Sequence, residues 1–316
     1  MIDQILAAVH DAVLPESHGM PADYIPALAE VEPDQFGLAV VTANGDVFTH
    51  GHTDTPFTIQ SVSKPFALAM ALQECGPAAV FDKVGTEPSG DLFNSVTLDA
   101  NGRPPNPMVN SGAIAIAGML VDAHGDRAHA ETHDMFSRLA GSELGFNEEV
   151  YDSECATDHR NQAIAHLLYG SGVLTDGPEK VVESYTRQCS QTVTATQLAT
   201  MAATLANIGT NPITNDQIID PLTVRHTLSL MFTCGMYDGS GDWAVQIGIP
   251  AKSGVGGGVM AVVNRQLGIA VYSPRLDEHG NSVRAIKALE ALTEELGLHV
   301  FEFSNAGSSL LSVYLQ

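Results

Sequence analysis

Positive charge is what this chain has least of. Its 316 residues carry 14 Lys and Arg against 37 Asp and Glu, for a net charge of −23, and the first Lys or Arg is Lys64. With no basic stripe to meet a phosphate backbone, nucleic acid is excluded as an expected partner. An anionic membrane surface repels the same charge. An export signal needs a positive stretch near its start, and none precedes Lys64, so the expected location is cytoplasmic. Long apolar runs are also missing: the longest, residues 112–121, is about half of the roughly 20 residues that a bilayer span needs. Cysteine is sparse. Cys75, Cys155, Cys189 and Cys234 are widely spaced with no C-x-x-C pair, which reads as reduced small side chains, not a disulfide or zinc set. Apolar residues, by contrast, make up 44% of the chain and charged ones 16%, enough to build a large core and too many for disorder.

The periodicity predicts an amphipathic helix at the start, with Ile5, Val9 and Val13 on one face. Strands are predicted at residues 36–42 and 46–50, joined through Asn44-Gly45, the strongest short hairpin signal. A helical block follows, with helices at 61–74, 110–123, 132–144, 154–169, 179–188, 194–207 and 221–234. Thr194 followed three residues later by Gln197 reads as a capping box. Strand character returns at 259–263 and 268–272, then a helix at 282–295, and a strand-like piece at 310–315 ends the tail. The economical arrangement is a single domain over 1–316. One mixed sheet comes from both ends of the chain (1–60 and 245–316), and the helical part (about 61–244) is an inserted subdomain. A cleft between the two is the natural place for a site.

Two motifs carry possible chemistry. In Gln60-Ser61-Val62-Ser63-Lys64, residues three apart share a helix face, so Lys64 can reach the Ser61 hydroxyl. Burial and the helix N-terminus both disfavour an ammonium there, and bringing a lysine from about 10.4 to about 7 costs roughly 4–5 kcal/mol that the enclosing structure must supply. The alternative is a capping serine beside a solvated lysine. The second motif is Lys252-Ser253-Gly254-Val255-Gly256-Gly257-Gly258, ahead of a strand. S-x-x-K with a distant K-[ST]-G is the pairing of penicillin-recognising serine acyl-transfer enzymes, in which a backbone N–H just past the triad completes the oxyanion hole. Its alternative is a tight turn. Two of only five lysines lie in these motifs. Neither nucleotide-binding glycine pattern occurs. His129 and His133 stand four apart as a possible metal pair, but Glu131 lies on another face and charged neighbours make a solvated surface the better reading. No metal is expected.

Longer strings resemble the serine-dependent glutaminases. They include Ala22-Asp23-Tyr24-Ile25-Pro26, Gln60 through Pro65, Glu87-Pro88-Ser89-Gly90, Asn106 through Ile114, and His159-Arg160-Asn161. They continue with Met201 through Asn207, Cys234-Gly235-Met236-Tyr237-Asp238 and Ala251 through Val255. The resemblance runs in order over roughly 20–300. It implies an α/β (α+β) fold of the β-lactamase/transpeptidase type, mainly antiparallel sheet flanked by helices. It also implies hydrolysis of L-glutamine to glutamate and ammonia without a cofactor, by a cytoplasmic homodimer or homotetramer. By position, Ser61 resembles the family's nucleophile, Lys64 its base and Tyr237 the site tyrosine that helps move protons. Val255 resembles the residue whose N–H, with that of Ser61, binds the oxyanion. Asn110, Glu154, Asn161 and Tyr185 resemble the substrate-binding set, and Tyr24 a further pocket tyrosine. Gly239 departs from the Ala or larger residue common after the Tyr-Asp pair. Physically, a free amino acid needs a carboxylate such as Glu154 for its ammonium and neutral donors such as Asn and Tyr. For Asn110, Asn161 and Tyr185 taken singly, capping or core polar roles stand as alternatives. The rival activities are another acyl hydrolase of β-lactamase or peptidase type, and a non-catalytic amino-acid-binding protein.

Overall fold

The hairpin at Asn44-Gly45 forms because a left-handed residue is available where the chain must reverse. Gly45 sits at φ +91° and its N–H donates to the Thr42 carbonyl at 3.0 Å. This joins β1 (Gly37–Thr42) to β2 (Val47–Gly51) with Val41 opposite Val47. The structure is a computed structural model that describes residues 2–89 and 96–302. Short strands β3 (Phe57–Thr58), β4 (Gly145–Phe146) and β5 (Gln191–Val193) make a small sheet in the order β3-β5-β4. β6 (Ala251–Ser253), β7 (Gly258–Val263) and β8 (Leu267–Tyr272) complete the main sheet, antiparallel throughout, in the order β2-β1-β8-β7-β6. Both ends of the chain therefore supply one sheet, as the strand pattern at front and back predicts.

The three central strands are buried along their length, with side chains alternating between two cores. Ala39, Val41, Met260, Val262 and Ala270 face the helical core, where helix Ala195–Ala206 lies on the sheet. Leu38, Val40, Ala261, Ile269 and Val271 face helices Ile2–Val13 and Val283–Leu296. Helix Asn110–His124, with residues 111 to 121 buried without a break, is apolar all round because it runs through the middle of the helical core. The longest apolar stretch of the sequence is that helix.

Contact between sheet and helix is closest at Gly268. A Cβ built there falls 2.2 Å from the Ala203 nitrogen and 2.6 Å from the Ala199 oxygen, both backbone atoms. Gly268→Ala is expected to force the helix off the sheet and cost about 2–3 kcal/mol. The urea midpoint should fall with an unchanged slope; an unaltered midpoint would show that the helix can yield.

Several boundaries differ from expectation. Residues 61–63 belong to a 3₁₀ turn, Gln60–Ser63, ahead of the helix Lys64–Cys75. The span 132–144 is a helix shifted forward, Ala128–Ala140, stopped by Gly141 in the left-handed region. The helix expected at 154–169 is two, Glu148–Thr157 and His159–Gly170, broken at Asp158 (ψ 12°). The capping box at Thr194 and Gln197 is present in both directions, and helix Pro221–Cys234 has the expected limits. The strand expected at 310–315 lies outside the described residues. Among the described residues no helix is long and apolar enough to cross a membrane, and the four cysteines are unpaired.

Candidate active site

Ser61 owes its position to a strained turn wedged against a glycine run. Gln60, which precedes it, has φ +48°, a left-handed conformation that costs a non-glycine residue about 1–3 kcal/mol. The turn is held by Ser63, whose hydroxyl donates to the Gln60 carbonyl at 2.6 Å and accepts from Gln188 at 2.8 Å. Residues 254–258, between β6 and β7, lie flat on this segment. A Cβ at Gly256 would sit 2.4 Å from the Thr58 oxygen, and one at Gly254 would sit 2.9 Å from a Val62 methyl. Glycine is needed there for close approach, and the approach presses the two residues that flank Val255 against the backbone on either side of Ser61. The N–H groups of Gly254 and Gly257 close the turn. That of Val255 has no protein acceptor among the described residues.

One 3₁₀ step separates Ser61 from Lys64, at the start of its helix. Lys64 Nζ lies 2.9 Å from Ser61 Oγ and 2.7 Å from Asn110 Oδ1. The lysine is 1% exposed. Burial lowers its pKa to about 8, against the raising influence of Cys189 and Glu154. At pH 7 about one molecule in ten therefore has a neutral amine with a hydroxyl in reach.

Asn110 opens helix Asn110–His124 and is the hub of the next layer. Its Oδ1 also accepts from the Tyr185 hydroxyl at 3.4 Å, and its Nδ2 donates to Asn161 Oδ1 at 3.1 Å. Across the pocket, Glu154 is 7% exposed and accepts from Gln60 Nε2 at 3.4 Å. Burial raises its pKa to about 7, while the Gln60 hydrogen bond and the Lys64 charge pull the other way. Tyr237, at φ +56°, is hydrogen-bonded to Ser61 and donates to the Ser253 carbonyl at 3.1 Å. Burial lifts its hydroxyl to about 12, so it stays protonated and can pass a proton on. Tyr24 is half-exposed at the rim; its neighbours Ala22 and Ile25 pack with Val150 and Val255, and burial of its hydroxyl pushes its pKa up, with smaller raising contributions from Tyr237 and Glu154.

All nine positions singled out in the sequence thus lie close together in the fold, drawn from seven separated stretches of chain. Sequence reading missed Gln60, whose bond to Glu154 and strained backbone no pattern announces. It assigned no role to Lys252, although the K-S-G motif contains it. That lysine is fully buried, 2.7 Å from the Ser253 carbonyl and 3.9 Å from the centre of the Tyr237 ring, and burial pushes its pKa well down. Of the two histidines four apart, His133 pairs with the exposed Glu143 at 2.9 Å.

A glutaminase family model matches residues 19–301. Glutaminase 2 of Bradyrhizobium diazoefficiens is 49% identical over 94% of this chain, although the match spans 48% of that relative. The chain thus covers about half the length of the first curated relatives it matches. The solved structure of a probable glutaminase, ybaS, superposes with a TM-score of 0.92 at 40% identity, covering 95% of this chain and 98% of that one. Mglu in its glutamate form gives 0.92 at 42% identity, covering 96% of this chain and 71% of that one. The antiparallel sheet flanked by helices is the β-lactamase-like arrangement implied by the motifs. With the family model covering most of its length and these identities across nearly all of it, the chain belongs to the glutaminase family.

Proposed function

We propose that this chain is a glutaminase that hydrolyses the side-chain amide of L-glutamine through a seryl ester. The observation that carries the reading is the buried amine of Lys64, 2.9 Å from the Ser61 hydroxyl and within the same pocket as the buried carboxylate of Glu154. Neutral Lys64 takes the Ser61 proton, directly or through Tyr237, as the oxygen bonds to the amide carbon. The N–H groups of Ser61 and Val255 receive the oxyanion. The carbon–nitrogen bond then breaks as the proton is delivered to the leaving nitrogen, and ammonia departs. Water adds to the γ-glutamyl ester, Lys64 again holds the proton, and glutamate leaves with the serine restored. Glu154 meets the substrate's ammonium, with Asn110, Asn161, Tyr185 and Tyr24 around the rest of the amino acid. A relative solved in its glutamate form supports a product-sized pocket in this fold. The cytoplasmic setting and the homodimer or homotetramer expected from the family belong to the same reading.

Ammonia release from glutamine and asparagine, beside hydrolysis of a chromogenic cephalosporin, tests it. Glutamine is expected to be turned over and asparagine much less, because the shorter side chain cannot reach Ser61 while its ammonium meets Glu154. Turnover of the cephalosporin without ammonia from glutamine would overturn the proposal in favour of a β-lactam-type acyl hydrolase.

A further inference from the structure

Away from the pocket, one cluster of side chains has the composition of a transition-metal site. Helix Ile2–Val13 buries Leu6, Val9, His10 and Val13 as its inward stripe, so a histidine occupies a position where an apolar residue would serve for packing alone. On β2, alternation turns Phe48 and His50 towards the same helix. His10, Asp11 and His50 meet there, with one ligand atom from each lying within 4.8 Å of the others. Among the described residues no other group of three His, Cys, Asp or Glu meets that condition.

The surroundings fix the central ligand. His10 is nine-tenths buried. Its ring stacks on Phe36 with centroids 4.8 Å apart and planes 11° from parallel. Gly51, at φ +76°, lies under one edge; a Cβ there would stand 2.8 Å from His10 Nε2. That nitrogen therefore faces the strand, and Nδ1 is turned outward, 3.4 Å from Asp11 Oδ1. His50 meets the same ring edge-on at 4.7 Å. Just past the end of the strand, His52 is engaged elsewhere, accepting the Phe36 N–H on its Nδ1 at 3.2 Å.

We infer that His10, Asp11 and His50 bind a divalent transition-metal ion, clipping the first helix to the edge strand of the sheet. Two imidazoles and one carboxylate suit Zn²⁺, Ni²⁺ or Cu²⁺ and are a poor match for Ca²⁺ or Mg²⁺, which take sets of oxygens. The spacing fits. Bonds of about 2.1 Å place tetrahedral ligands about 3.4 Å apart and opposed octahedral ones about 4.2 Å apart. The His10–Asp11 pair already stands at 3.4 Å, and the exposed Asp11 and half-buried His50 are free to close the rest. Water completes the shell from the open side. A chain of net charge −23 draws cations towards its acidic surface in general, but among the described residues this is the one group of three that brings two imidazoles and a carboxylate together.

Calorimetric titration of untagged, chelator-stripped protein tests this without any assay of turnover. Zn²⁺ or Ni²⁺ is expected to bind with a stoichiometry of one, in the micromolar range, and to raise Tm; Mg²⁺ and Ca²⁺ should do neither. His50→Gln, on an edge strand, is expected to weaken Zn²⁺ binding by roughly ten- to a hundredfold and abolish the Tm rise. Asp11→Asn, at an exposed carboxylate, provides a second variant that leaves the packing intact and should weaken binding as well. Absence of heat and of a Tm shift with every transition ion, or wild-type binding in both variants, would overturn the assignment. The second outcome would place the ion on the scattered surface histidines instead.

Discussion

Ser61→Ala is expected to lower kcat for glutamine by roughly four to six orders of magnitude, the loss typical of removing a serine nucleophile whose partners act as a unit. The substitution deletes one oxygen, hydrogen-bonded to Tyr237 and 2.9 Å from Lys64 Nζ. It leaves the turn intact, because the geometry of Gln60–Ser63 is held by Ser63, Gln188 and the glycine run. Affinity for glutamate should therefore change only a few-fold, since Glu154, Asn110 and Asn161 are untouched. Quenched reactions of the wild type followed by intact-mass spectrometry should show a γ-glutamyl adduct that the variant lacks. Near-normal turnover by the alanine variant would remove the serine from the chemistry.

The second large effect is expected at Glu154, in activity and stability with opposite signs. Glu154→Gln should raise KM for glutamine about a hundredfold or more, because the substrate's ammonium would lose a desolvated charge partner worth several kcal/mol. In stability the sign reverses. The carboxyl is raised from 4.5 to about 7 by burial, so the folded state binds more protons than the unfolded one between those values, and stability falls as pH rises through that window. Above pH 7 the full penalty, about 3 kcal/mol, is present. The neutral glutamine side chain escapes it, so the variant should be the more stable protein at pH 8 and no more stable at pH 4. Lys64 behaves in mirror image. Its pKa falls from 10.5 to about 8, so the folded state is disfavoured below pH 8, and stability recovers between about 8 and 10.5. The proposed mechanism requires Glu154 charged and Lys64 neutral, so kcat/KM is expected to climb steeply below pH 7, less steeply to about 8, and level off. In the glutamine variant only the limb near 8 should remain. A profile that falls between pH 6 and 8, or a variant with wild-type KM, would break these assignments.

Much of this was legible where a local rule suffices. Asn44-Gly45 announced the hairpin because few residues tolerate its turn, and Thr194 with Gln197 announced a helix start because both side chains have a backbone donor to satisfy. Ser61 and Lys64 were legible as a pair because three-residue spacing brings them together on either a 3₁₀ or an α turn. Strands β3 to β6 were not legible: two or three residues give no period, and they are strands only because a distant segment pairs with them. The break at Asp158 is hidden for a related reason, since helix-forming residues flank it on both sides. The convergence of Asn110, Glu154, Asn161 and Tyr185 came from family resemblance alone, as each sits on its own helix and no spacing relates them. Lys252 shows the limit of a motif: the letters were visible, but not that its amine would lie over the Tyr237 ring.

The pairing of β1 with β8 has a consequence for synthesis. Thr42 finds its partner, Leu267, only after most of the polypeptide has left the ribosome. The turn that presents Ser61 must wait for the glycines at 254–258 to press against it. A nascent chain therefore passes through a long interval with the inner edge of its first hairpin unpaired and no working hydroxyl. Slow, late-committed assembly of this kind is characteristic of distant β pairing, and it makes the abundance of this protein in a cell sensitive to whatever shields those strands during translation.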